Sequence, residues 1–128
     1  MKPISFIIPS RNNLKYLKQA YNSIRKNQSV EHEICIADDA STDGTSEWVL
    51  AQMKRDKWLK LHINKGPDRL GHTILYDTLV DMATNDIVMI YHADMYACPG
   101  LDEEVNKYIK PGRVVSLSLI HISEPTRH

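Results

Sequence analysis

Two spacings of apolar residues take turns along this chain. Ile4 to Ile8 and Glu33 to Ala37 are short β-type runs, and Leu59 to Ile63 alternates apolar with polar positions as a third. Ile87 to Tyr91 is apolar or aromatic at every position, which predicts a strand covered on both faces, as in parallel sheets. Between these runs the spacing becomes helical. Leu14, Leu17, Tyr21 and Ile24 give one amphipathic stretch, and Trp48, Val49 and Met53 line the inner face of the next. A third helix is predicted over Leu70 to Ala83, with Leu75, Leu79, Met82 and Ala83 toward a sheet. A fourth follows Gly100, with Leu101, Val105, Tyr108 and Ile109 on one face and acids in its first turn. Strands alternating with helices predict an α/β fold, a mostly parallel sheet flanked by helices.

Local punctuation agrees. Pro9 cannot donate to a ladder and closes the first strand. Ser10-Arg-Asn-Asn13 supplies turn and N-cap chemistry, and Asp43, ahead of Gly44, Thr45 and Glu47, is the expected N-cap of the second helix. Asn64-Lys-Gly-Pro67 ends the third strand, and Pro111-Gly112 stops the last helix.

Composition narrows the function classes. The 128 residues suffice for one domain with one core. Acidic and basic residues balance at 16 each, so bulk charge suggests neither nucleic acid nor a membrane surface as partner. No apolar run approaches the roughly 18 residues of a spanning helix. Cys35 and Cys98 are far apart and lack zinc spacing, which predicts a reduced, cytoplasmic setting, with membrane association left open for a full-length protein.

Polar chemistry collects where strands end. In open α/β sheets, ligands bind beyond the carboxyl ends of the strands. Asp38 and Asp39 follow the second strand side by side. Their mutual repulsion costs stability unless something binds them, and such a carboxylate can accept hydrogen bonds from a nucleobase or a ribose hydroxyl. The plainer reading has one acid capping a loop and the other solvated. Asn64 and Gly66 read equally as a turn. Arg69 and His72 open the third helix, where a phosphate could meet backbone amides and a cation, although Arg69 alone reads as surface charge. His92 and Asp94, one residue apart after the fourth strand, propose a metal-assisted site; alone they read as a polar turn. Cys98 reads as a packing residue, because nothing nearby would lower its pKa.

Together, Ile7-Ile-Pro-Ser-Arg-Asn12, Asp38-Asp-Ala-Ser-Thr-Asp-Gly-Thr45 and His92-Ala-Asp94 resemble, in order and spacing over about residues 4 to 112, the family 2 glycosyltransferases of the GT-A fold. The resemblance implies a nucleotide-diphospho-sugar donor, a divalent metal (Mn2+ or Mg2+) and glycosyl transfer to an acceptor glycan, lipid or protein. It implies donor contacts at Pro9, Arg11, Asn12, Asp38, Asp39, Asn64, Gly66, Arg69, Asp77 and His92. The family pattern at the metal is Asp-x-Asp; Asp94 matches its second acid and inherits the role of metal ligand. His92 replaces the first acid, and joins Asp94 as a ligand, hydrogen-bonds ribose or pyrophosphate, or marks weakened metal dependence. An imidazole suits manganese better than magnesium.

Competing readings are a nucleotidyltransferase, which needs a glycine-rich phosphate loop that Ser10-Arg-Asn-Asn13 lacks, and a receiver-type signalling domain, whose acidic pair should follow the first strand. A non-catalytic nucleotide-binding remnant is a third. Residues 117–128 resemble translated sequencing adapter, leaving 1–116 as the nucleotide-sugar-binding part. On that reading the catalytic base belongs to a C-terminal half that this chain lacks, and transfer by this chain alone is not expected.

Overall fold

A computed structural model describes residues 1–109. The chain runs β1 (Ile4–Ser10), α1 (Leu14–Asn27), β2 (Glu33–Asp39), α2 (Thr45–Met53), β3 (Leu59–Asn64), α3 (His72–Met82), β4 (Ile87–Ile90) and α4 (Leu101–Tyr108). The strands form one sheet in the order β3-β2-β1-β4, with every pairing parallel. All four carboxyl ends therefore share one edge. The chain steps from β1 to β2 to β3 in one direction, then crosses back to lay β4 on the other side of β1. The gap between β1 and β4 is thus the topological switch point, where crossovers on opposite faces leave a crevice.

The pattern of apolar residues explains the layers. Phe6, Ile8, Ile34, Ile36, Ile87 and Met89 face one way and pack with Leu17 and Ile24 of α1, Val49 of α2 and Val105 of α4. Ile7, Cys35 and Ala37 face the other way, against Leu75 and Leu79 of α3. β1 and β2 are buried at every position, as central strands should be. Burial pushes the Cys35 thiol up to about 12, with nearby Glu33 adding to the effect, so this cysteine is a packing group.

Four local expectations need correction. β4 is not covered on both faces: Ile87 and Met89 are buried, but Val88 and Ile90 are 37% and 54% exposed. β4 lies at the end of the described sheet, and α3 packs over β1 and β2. Helix α3 begins at His72, two residues later than its periodicity suggests. Gly71 sits at φ 83, outside helical backbone, and the amides of Leu70 and Gly71 are drawn to the Asp39 carboxylate. Asn13 holds the N-cap position of α1 but makes no side-chain cap bond. Gly44, not Asp43, holds the N-cap position of α2, at φ 87.

Asp43 nevertheless serves both helices. Its Oδ1 accepts from the amide and hydroxyl of Thr45, and its Oδ2 accepts from the Leu14 amide 2.9 Å away, at the start of α1. One carboxylate thus meets the unpaired amides of two helix starts. The expected domain limit at residue 116 and the tail lie outside the described residues.

Candidate functional site

A cleft of about 460 Å³ opens at the switch point. Its first wall is the turn from β1 into α1, Pro9 to Asn13; its second is the start of α3, with Arg69 and His72; its third is His92 to Asp94, after β4. The third wall forms because β4 ends against the core. Tyr91 is fully buried, edge-on to Phe6, with its amide donated to the Ile7 carbonyl at 3.0 Å. A tight turn follows, closed by the Met95 amide on the His92 carbonyl. Ala93 points inward, so His92 and Asp94 on either side of it are exposed.

The first wall is held from behind by the loop after β2. Asn12, at φ 48, receives the Thr42 amide on its Oδ1 at 2.7 Å and donates its own amide to the Ser41 hydroxyl at 2.8 Å. Arg11 donates to the carbonyls of Asp39 and Ala40. Both residues line the cleft while being tied to β2.

The acidic pair is buried rather than open. Asp38 lies beside Ser10 in the ladder and is 3% exposed; its carboxylate accepts from the Ser41 amide at 3.0 Å and from the Ser46 hydroxyl. Asp39 is 2% exposed; its Oδ1 accepts from Asn64 Nδ2 at 2.8 Å and the Leu70 amide at 2.9 Å, and its Oδ2 from the Gly71 amide at 3.1 Å. Burial raises the pKa of Asp39, but these donors and the charge of Arg69 outweigh it and hold the carboxyl below its usual range. The repulsion anticipated between the two acids is therefore relieved by the protein's own donors.

Of the residues singled out in the sequence, Pro9, Arg11, Asn12, Arg69, His92 and Asp94 meet around the cleft. Asp38, Asp39, Asn64 and Gly66 stand behind its walls, and Asp77 is exposed further along α3. Asn64 pins its own loop, accepting from the Gly66 amide and donating to the Asp68 carbonyl. A side chain at Gly66 would press against Ala40, 3.3 Å from its Cβ, at a φ of 86 that favours glycine. Ser10, Asn13 and His72 join the lining without having been counted among the donor contacts. Their signal was position alone, directly after a strand or at the start of a helix. The Ser10 hydroxyl is buried with no hydrogen-bond partner among the described residues.

Among the described residues, no three His, Cys, Asp or Glu side chains converge to hold a metal ion. One imidazole and one carboxylate, both exposed, suit an ion whose remaining ligands are water and substrate oxygens. The donor set fits a divalent cation in that shared form.

Comparison with known proteins gives the same architecture. The chain is 29% identical to the abequosyltransferase RfbV of Salmonella typhimurium strain LT2, over 97% of this chain but only 40% of that protein. Among solved structures, Staphylococcus aureus TarS (residues 1–349) superposes with a TM-score of 0.71 at 23% identity, covering 84% of this chain and 32% of TarS. A Pyrobaculum calidifontis mannosyltransferase, PcManGT, solved with GDP-Man and Mn2+, gives 0.71 at 24% identity, covering 84% of this chain and 32% of that one. Glucosyl-3-phosphoglycerate synthase of Mycobacterium tuberculosis, solved with Mn2+ and UDP, gives 0.61 at 19%, covering 82% and 39%. These structures establish a GT-A fold, of which this chain spans well under half the length found in its relatives. The family model for glycosyl transferase family 2 matches residues 5–128, nearly the whole sequence, and the chain belongs to that family of glycosyltransferases.

Proposed function

We propose that this chain carries the donor-binding part of a metal-assisted glycosyltransferase, with the nucleotide-diphospho-sugar lying across the switch-point cleft. One observation carries the reading: His92 and Asp94, Arg69 and His72, and the β1–α1 turn come from three separate stretches and surround one cavity. Asp94, with His92, would hold a divalent cation against the donor's diphosphate, and Arg69 and His72 stand across the cleft as further partners for phosphate oxygens. Such an ion supplies stabilisation of the charge that develops on the leaving nucleoside diphosphate. The chain's own residues bind and orient that group. Pro9, Arg11 and Asn12 shape the wall along which the nucleoside lies, while Asp38, Asp39 and Asn64 hold that wall and its neighbour in place.

A thermal-shift titration with UDP or GDP, with and without Mn2+, tests the reading. At ten times the dissociation constant, a ligand specific to the folded state stabilises by about 1.4 kcal/mol. The rise is expected only with the metal, and Asp94→Ala should largely abolish it. Equal stabilisation of mutant and wild type rejects the metal role.

A further inference from the structure

We propose that the edge of the sheet opposite the cleft is a docking surface for an anionic lipid bilayer, made by Lys54, Arg55, Lys57 and Trp58. It does not depend on the donor reading, because the cleft lies at the carboxyl ends of the strands and these residues at the amino ends. Between parallel strands the covering helices run back against the strand direction, so α1 and α2 both finish at the amino edge. There the chain leaves α2 at Met53 and enters β3 at Leu59, and the residues between are Lys54-Arg-Asp-Lys-Trp58. Two adjoining hollows of about 360 and 370 Å³ open at this turn, with Glu31, Arg55 and Asp56 in the walls of both. Asp56 is neutralised by Arg25, whose Nε lies 2.8 Å from its Oδ2. That leaves Lys54, Arg55 and Lys57, all exposed, against the one acid Glu31. Lys26, exposed in the last turn of α1, adds a further cation at this edge.

The balanced total of 16 acids and 16 bases thus conceals an uneven placement. Asp81 belongs to α3, on the other face of the sheet, and Asp86 precedes β4, at the far end of the strand order. The dipole at a helix C-terminus accounts for Lys26 and Lys54. It does not account for Lys57 and Trp58, which follow the helix. Trp58 is 41% exposed with the Lys57 ammonium 5.6 Å from its ring centroid, whereas Trp48 is half-buried against Tyr21. The Trp58 backbone is fixed, its amide on Asp56 Oδ1 at 3.0 Å and its carbonyl receiving the Ile34 amide at 2.9 Å. An exposed indole among ammonium and guanidinium groups suits a membrane interface, where the ring lies at headgroup level and the cations meet lipid phosphates. Docked this way, the sheet stands on its amino edge and the cleft opens away from the bilayer, roughly 20 Å above it, the length of one strand.

Co-sedimentation with vesicles of mixed phosphatidylglycerol and phosphatidylcholine, against phosphatidylcholine alone, tests the surface. Wild type should sediment with the anionic vesicles only, and progressively less as salt rises. Lys54→Gln/Arg55→Gln/Lys57→Gln should bind roughly 100-fold more weakly, about fivefold for each cation, with an unchanged far-ultraviolet dichroism spectrum. Undiminished binding by this variant overturns the proposal. Should the triple variant unfold, the single reversal Lys57→Glu replaces it and should weaken binding about fivefold or more. A second readout uses a Trp48→Phe background, in which Trp58 is the one tryptophan left. Its emission should shift to the blue on anionic vesicles. A protein that sediments while Trp58 emission stays still docks by another face, which also overturns the proposal. If wild type binds soluble poly-aspartate but no vesicles, the partner is an acidic chain and the bilayer is rejected, as it is if wild type binds neither.

Discussion

His32 and Asp102 meet inside the protein, with Nε2 of the imidazole 2.7 Å from Oδ2 of the carboxylate and each residue no more than 3% exposed. The second ring nitrogen, Nδ1, accepts the Ile4 amide at 2.9 Å, so the one ring proton sits on Nε2 and is donated to Asp102. Asp102 also receives the Ser29 amide and hydroxyl. These bonds fasten α4, and with it the chain that returns from the cleft, to the start of β1 and the loop before β2.

Burial lowers the pKa of His32, although Asp102 pulls it upward. The unfolded chain then binds the extra proton first. Stability is fully present above the ordinary histidine value near 6.5 and declines as pH falls below it, by at most about 1.4 kcal/mol per pH unit. The thermal midpoint should drop between pH 7.5 and 5.5, and His32→Gln should flatten that slope while lowering the midpoint throughout. Parallel curves for the two proteins would show that another group is responsible.

Glu33 marks the opposite edge of the sheet from the cleft. Its carboxylate takes Lys60 Nζ at 2.8 Å, the Ser5 hydroxyl at 2.7 Å, and the amide and hydroxyl of Thr84 at 2.8 and 2.9 Å. Burial raises its pKa, but the Lys60 ammonium, the Ser5 hydroxyl and Thr84 hold it down at about 2. This contribution is therefore complete above the usual value of 4.5 and is lost as pH falls toward 2. Glu33→Ala should destabilise by about 3 kcal/mol, as expected when a buried, hydrogen-bonded charge is removed. Lys60→Met should cost less, because the Ser5 hydroxyl and the Thr84 amide and hydroxyl still hold the carboxylate. Urea unfolding at pH 7 measures both.

Asp43 joins the amide at the start of α1 to that at the start of α2. Loss of a single cap costs ~1 kcal/mol, so Asp43→Ala, which removes two, should cost about 2 kcal/mol in denaturant unfolding. A cost no larger than that of an ordinary surface substitution would mean that the two caps contribute nothing.

The two faces of β4 differ. Ile87→Ala should cost 2–4 kcal/mol, in the ordinary range of about 2–5 kcal/mol for emptying a core position. Ile90→Thr, on the open face, should stay within about 0.5 kcal/mol of wild type and reduce self-association in sedimentation. A large loss from Ile90→Thr would place that face in a packed environment.

At the proposed metal edge, His92→Asp would supply the two acids of the family pattern. It should raise Mg2+ affinity in the presence of UDP more than it raises Mn2+ affinity, because magnesium prefers oxygen ligands. Equal gains for both ions, read by calorimetry, would remove His92 from the first coordination sphere.

The strands, the helices and their order were legible because each is written in neighbouring residues. Alternation, helical spacing, Pro9 and the Asn64-Lys-Gly-Pro67 turn act within a few positions. The stock of polar groups at the strand ends was legible in the same way, and so was the family pattern they make. Boundaries failed where a distant partner intervened: the apolar periodicity of α3 runs back to Leu70, yet the helix starts at His72 because Asp39 takes the intervening amides. The uniform run of β4 carried no mark that one of its faces would be open.

Sequence by itself determined what chemistry this chain could bring to one edge of its sheet. Tertiary structure alone decided which of those groups find hydrogen-bond partners within the protein. Asp38, Asp39, Asp43 and Asn12 look as free as His92 and Asp94 when read along the chain. They differ because hydrogen bonds are satisfied through space, by donors lying in other loops, and a polar group takes whichever partner folding brings to it.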